Sequence, residues 1–371
     1  MFKKLLCFSL VLLSAIAFPQ MPKLSPESKV SIFTCDRGAE LYSTFGHTAL
    51  RIQDSPNALD VVYNYGYFDF RTENFYFKFV KGDLQYFVKV TSYDDFVLDY
   101  QAEKREVIEQ TLDLPLAKKQ QLFEALNRSL QDDQKYYTYK FIDKNCTTMI
   151  ADKINGLYRE KPIRKVDDKT ISYRRLLYPY FEDYFWYKLG INIVFGAKTD
   201  KDAEQLFLPI ELLHSLDKAK PDGKPMVTSK QIVVQGETIK PGFSFFNSIY
   251  IVWAALLLLV LTNSKLIFKS YLFICGIFGL LLCLIGLYTQ HEELLWNYNA
   301  LLFNPLFLLI PFAGNNFLKR LNIALLALLL IYCIIMVTKP HLLIMLPFIL
   351  ANLYMLLKLN GALKIKKFVK A

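Results

Sequence analysis

"DKNCTTMIADKING" occupies residues 143–156, and the conformation it takes decides what kind of domain the chain builds. Asp143 and Asn145 are residue types that start helices, because a short side-chain oxygen accepts from the N–H groups the first turn leaves unpaired. Thr147 and Thr148 add further capping options. Gly156 is a natural stop. The stretch therefore reads as a helix with Cys146 in its first turn. A thiol there faces unpaired N–H groups and the positive end of the helix dipole, and Lys144 adds a cation. All three favour thiolate, the reactive form. Two readings stand beside a nucleophile: a buried structural thiol, or a disulfide with Cys35, the other cysteine expected in the exported half.

Upstream, strands and helices are mixed, the pattern of an α+β domain. "KVSIFTC" (29–35), "HTALRIQ" (47–53), "LDVVYNYGYF" (59–68) and "LQYFVKV" (84–90) read as strands. "RGAELYSTFG" (37–46) is a turn and "DSPNA" (54–58) a hairpin loop. "YDDFVLDYQAEK" (93–104) and "LAKKQQLFEALNRSLQ" (116–131) space apolar residues three and four apart, as amphipathic helices do. "KYYTYKFI" (135–142) is strand-like, and helices are expected within 173–190 and 208–219.

Against a helix-start cysteine, the partner to look for is a base on a sheet. His47 follows Gly46, which lets the chain turn tightly into a strand. A third polar group normally orients such an imidazole. Asn64 on the adjacent strand is the choice, with Tyr63 and Tyr65 as alternatives that strand parity decides. The other histidines, His214, His291 and His341, form no His-x-x-x-His pair, and no Cys-x-x-Cys, phosphate-binding loop or Gly-x-Ser-x-Gly occurs. No metal and no cofactor is expected.

The composition, 53% hydrophobic and 15% aromatic, is unevenly spread. Beyond residue 247 the chain is nearly continuous apolar sequence. The +10 net charge lies at the edges of apolar segments: Lys3 and Lys4 at the start, and ten Lys and Arg after Gly242 opposed by Glu292 and Glu293. The part from Phe18 to Gly242 is neutral. That distribution excludes a nucleic-acid face and matches topogenic charge. "MFKKLLCFSLVLLSAIAFPQ" (1–20) has the charged start, apolar run and Ala-x-Ala site of a signal peptide cleaved after Ala17. The expected organisation is a signal peptide (1–17), an exported thiol-enzyme domain (18–242), a transmembrane domain (247–359) and a basic cytoplasmic tail (360–371). Five spans are expected, at 247–262, 266–288, 300–313, 321–338 and 341–357, the third short, Pro-containing and tilted, kinked or re-entrant. Lys265, Lys269, Lys319, Arg320 and the tail lysines then all lie inside, as the positive-inside rule asks. In the outer loop "QHEELLWNYNALLFNP" (290–305), His291 and Glu292 are interface or substrate candidates. Asn304, an amide in an apolar segment, needs a partner, and structural and functional readings are balanced there.

Two levels of resemblance follow from these residues. A His on one strand, a polar residue on the next and "NC" opening a helix resemble the circularly permuted papain-like (NlpC/P60-like) group. More specifically, "TCDRGAELYSTFGHTALRI" (34–52), "YNYGYFDF" (63–70), "KNCTTMIADKI" (144–154) and "HEELLWNYNALLFNP" (291–305) resemble the Lnb-type lipoprotein N-acyltransferases. The resemblance implies Cys146 and His47 as catalytic residues, Asn64 as their third member, and Tyr65, His291, Glu292 and Asn304 as substrate or interface candidates. It implies a phospholipid acyl donor, an exported lipoprotein acceptor, and a multi-pass protein of a bacterial inner membrane with its N-terminal domain in the periplasm. The competing functions are an exported cysteine peptidase or amidase acting on cell-wall peptides, and a non-catalytic envelope binding protein with a Cys35–Cys146 disulfide.

Overall fold

A computed structural model describes residues 22–237 and 242–361; the expected signal peptide and nearly all of the expected tail lie outside them. Seven strands form one antiparallel sheet: β1 (Lys29–Cys35), β2 (His47–Asp54), β3 (Leu59–Tyr67), β4 (Gln85–Ser92), β5 (Val107–Leu112), β6 (Tyr136–Thr138) and β7 (Val227–Val234), in the order β6-β4-β3-β2-β1-β5-β7. Side chains alternate across each strand. Val30, Ile32, Leu50, Ile52, Tyr63 and Tyr65 line one face. Phe33, Cys35, Ala49 and Val62 line the other. Seven helices then matter for the site and its support: α1 (Phe75–Lys81), α2 (Tyr93–Ala102), α3 (Leu116–Arg128), α4 (Cys146–Asn155), α5 (Phe185–Val194), α6 (Pro209–Lys218) and α7 (Ile249–Leu261). α3, α4 and α6 bury Leu122, Ile150, Ile154 and Leu212 on the Tyr63 face. α2 buries Phe96 on the other, stacked on Phe33 at 4.9 Å between ring centroids.

The N-terminal part is thus mixed α/β with an antiparallel sheet, and the C-terminal part is helical. Four segments are long and apolar enough to cross a membrane: α8 (Lys265–Tyr288), Glu292–Phe312, α9 (Asn315–Met336) and α10 (Leu342–Leu359). The first expected span is shorter than read. α7 has 13 residues, about 20 Å of helix against the roughly 30 Å of a hydrocarbon core. Glu292–Phe312 is a chain of 3-10 turns rather than one α-helix, as its prolines implied. Such backbone needs protein around it at membrane depth, and α8 supplies it. A Cβ on Gly279 would stand 1.4 Å from the Phe303 carbonyl oxygen, so only glycine lets the two backbones meet.

The two parts are joined along one end of the bundle. Asn247, just before α7, accepts from the Phe185 N–H at 3.0 Å. The 289–291 turn after α8 bonds to α1. Tyr298 and Lys339 reach Asp200. The segments that follow one another therefore run alternately away from and towards the sheet domain.

Candidate active site

Asn145 caps α4 as expected, and Cys146 is its first residue. Asn145 Oδ1 accepts from the Thr147 and Thr148 N–H groups at 2.9 and 3.0 Å, while Thr148 Oγ1 accepts from the Asn145 N–H at 2.8 Å. The amide nitrogen of Asn145 donates to the Phe141 and Phe207 carbonyls, both at 2.9 Å. Every polar group of this buried residue is matched, so the start of α4 is rigidly placed. Asp143 is not part of the cap; it pairs with Lys198.

His47 opens β2 beside Cys35 of β1, and Gly46 before it takes φ +79° to make the tight turn the sequence asked for. His47 Nε2–H donates to Asn64 Oδ1 at 3.3 Å. The Asn64 amide nitrogen donates to the Val62 carbonyl and to Thr91 Oγ1, each at 3.2 Å. A carbonyl only accepts, so the Asn64 oxygen is the atom turned to His47. That leaves Nδ1 of His47 as the basic nitrogen. Parity settles the alternatives: Tyr63 and Tyr65 point into the opposite, α4-side core, and burial pushes the Tyr65 phenol up to about 12. Tyr65 is a core residue there and does not touch the imidazole.

Thr48 and Gly66 bring α4 to this pair. Thr48 Oγ1 and Thr147 Oγ1 share a hydrogen bond of 2.9 Å, which holds the residue after His47 against the residue after Cys146. A Cβ on Gly66, two residues past Asn64, would lie 3.8 Å from the Cys146 Cβ. With φ +100° at Gly66 and a register shift between Tyr65 and Tyr67, β3 opens where the thiol sits. The sulfur lies 4.0 Å from Thr147 Oγ1 and is approached by the N–H groups of Thr48, Thr147 and Cys146 itself. Among the described residues no Cys146–His47 hydrogen bond is formed; the two are neighbours through Thr48.

The electrostatics correct one expectation. Burial raises the Cys146 thiol above its ordinary range, although the backbone N–H groups pull the other way. Lys144 does not help, since its ammonium lies over the Tyr137 ring at 5.4 Å. Burial also lowers His47 to about 4, with the Asn64 bond opposing and Arg105 reinforcing the shift. The resting pair is a neutral thiol and a neutral imidazole. Cys35 is free, buried and bonded to Tyr100, and its desolvated thiol is pushed up to about 12. Cys146 is also a free thiol. Among the described residues no cluster of His, Cys, Asp and Glu gathers at metal-binding distance.

A sequence model of the family described as the Lnb N-terminal periplasmic domain matches residues 21–178. Over that segment the chain is similar to the Lnb-type family. No curated protein and no solved structure matches it. The matched segment contains His47, Asn64 and Cys146, and also α1, which bonds to the 289–291 turn.

The loop candidates lie outside the matched segment, and their partners are groups other than the thiol. His291 Nε2–H donates to the Phe79 carbonyl at 2.8 Å. Glu292 pairs with Lys198 at 3.0 Å. Asn304 is a cap, its Oδ1 accepting from the Leu306 N–H at 3.0 Å, which gives the structural answer to its buried amide. Sequence reasoning missed Thr48, whose N–H approaches the sulfur and whose hydroxyl bonds Thr147. It also passed over a buried network. Arg174 is paired with Asp200 at 2.7 Å, Asp200 accepts from the Tyr298 hydroxyl at 2.5 Å, and that hydroxyl lies 3.1 Å from His341 Nε2. His341 is fully buried.

Proposed function

We propose that the chain is a cysteine-dependent lipoprotein N-acyltransferase of the bacterial inner membrane, with its thiol domain in the periplasm. The observation that carries this reading is the free thiol at the capped start of α4, approached by the N–H of Thr48, the residue that follows the Asn64-bonded His47. The Lnb-type match and the membrane-length segments support it. We further propose the permuted papain-like (NlpC/P60-like) topology, supported by the order His strand, Asn strand, Cys helix. The division is a signal peptide at 1–17, an exported domain at 18–242, a membrane domain at 247–359 and a cytoplasmic tail at 360–371.

In this mechanism Nδ1 of His47 takes the Cys146 proton as the sulfur attacks a phospholipid ester carbonyl. A buried neutral thiol needs such a base at the moment of attack. The N–H groups of Thr48 and Cys146 stand nearest the developing oxyanion. The ester C–O bond breaks, the lysophospholipid alcohol leaves with the proton from His47, and a thioester remains. The free α-amine of a diacylglyceryl-cysteine lipoprotein then attacks the thioester and gives up a proton to His47. The C–S bond breaks, an amide forms, and the proton returns to Cys146. No metal or nucleotide enters the balance.

Mass spectrometry of lipoprotein N-termini tests this in cells carrying the intact chain or Cys146→Ser. The expected result is loss of the amide-linked acyl chain in Cys146→Ser and its retention in Cys35→Ser. An unchanged lipid form in Cys146→Ser would remove the proposal. Released free fatty acid without acylated lipoprotein would mean that water is the acceptor.

A further inference from the structure

The periplasmic domain leaves one strongly apolar surface uncovered. In α1 Tyr76 is 76% exposed and Phe77 71%, and Phe70 just before the helix is 63% exposed. A contiguous aromatic face of this kind marks a surface with a partner. The structure also fixes its height relative to the bilayer. Thr289 Oγ1 donates to the Val80 carbonyl at 2.8 Å, the Gln290 N–H to the Lys81 carbonyl at 2.6 Å, and His291 Nε2–H to the Phe79 carbonyl at 2.8 Å. These three residues follow directly on Tyr288, the last residue of the 24-residue membrane helix α8. α1 is therefore held where α8 leaves the membrane. Aromatic rings with Lys78 and Lys81 on one short helix suit that zone, where rings enter the acyl boundary and ammonium groups stay among phosphates.

We infer that the aromatic face of α1 dips into the outer leaflet and is a lipid-docking surface. It is continuous with the site. The Phe68 ring packs on Phe70 and Phe75 at 5.0 and 5.8 Å between centroids, and Phe68 is two residues beyond Gly66, against which Cys146 lies. A lipid held on α1 is thus one strand end from the thiol. That this lipid is the acyl donor rests on the function proposed above; the lipid contact does not.

Site-specific photocrosslinking of the full chain in its native membrane tests the contact without needing catalysis. p-Benzoylphenylalanine replaces Phe77, or Leu284 on α8 as the lipid-facing control, or Ile232 on β7 as the aqueous control. The expected result is a phospholipid adduct by mass spectrometry at positions 77 and 284 and none at 232. An adduct of Phe77 to protein, or no lipid adduct at 77 while 284 gives one, overturns the inference. As a second reading, Phe77→Asp with the probe at position 70 should abolish the lipid adduct there while leaving the rate of Cys146 alkylation by iodoacetamide unchanged. A retained adduct at 70 would equally count against it.

Discussion

At the scale of single residues, two neutral partners define the chemistry. His47 in the folded protein is held at about 4 against its ordinary 6.5, so it is an unprotonated base throughout the neutral range. Activity should stay level as pH falls from 8 towards 5, and decline only through about pH 4. Stability behaves differently. The unfolded chain takes up the proton first, so the share of stability due to neutral His47 is present above the ordinary pKa and is lost as pH falls from there towards 4. Asn64→Asp would place a carboxylate on Nε2 and favour the imidazolium. The acid limb of kcat/KM should then move up by roughly one unit or more. A limb unmoved by Asn64→Asp would mean that His47 is not the base. Asn64→Ala should instead lower kcat by about tenfold or more with little change in KM, because it frees the ring without touching substrate.

At the scale of elements, the sheet and its long helices were readable from residue patterns, and the exceptions have physical causes. β7, "VTSKQIVV", is an edge strand with Ser229, Lys230 and Gln231 exposed, so only its ends show apolar alternation. β5 beside it, with the polar pair Glu109 and Gln110 buried, breaks the pattern from the inside. Glu109 answers Arg51 at 3.0 Å and Gln110 donates to the Leu213 carbonyl at 3.0 Å, partners that no local window contains. α1 has only seven residues, and aromatics all round it hide any periodicity. In the membrane part the decisive contact is a glycine against a carbonyl. Gly279→Ala should push the 3-10 segment off α8 and cost roughly 1–3 kcal/mol, read as a lower thermal midpoint in detergent. Gly286→Ala, which faces open space, should leave the midpoint unchanged; equal midpoints for the two variants would show that the close approach is not required.

For the whole molecule, the joint between the two parts is anchored on one buried ion pair of the N-terminal part, whose Asp200 also accepts from Tyr298 of the C-terminal part. Arg174 has no solvent exposure and is paired with Asp200. It also donates to the Phe195 carbonyl at 2.9 Å. Asp200→Ala would leave that guanidinium uncompensated, an effect of about 3–5 kcal/mol, and should appear as loss of folded, membrane-inserted protein. Lys198→Ala removes a half-covered bridge from Asp143 and Glu292, and should cost no more than about 1 kcal/mol. Similar yields of the two variants would show that the buried network does not hold the parts together.

The amino-acid sequence by itself determined the local chemistry. A cap built by Asn145 places a thiol at a helix start, Gly46 turns a histidine into a strand, and flanking charge marks the apolar half as membrane. These follow from residue types within a few positions of one another. Tertiary structure alone decided the rest. Strand pairing chose Asn64 over Tyr63 and Tyr65, because parity is set by which strand lies alongside. Burial reversed the expected thiolate, because desolvation depends on everything packed around the sulfur. Gly279 against Phe303 and Arg174 against Asp200 joined segments far apart in the chain, and no local pattern encodes a contact whose two halves are read separately.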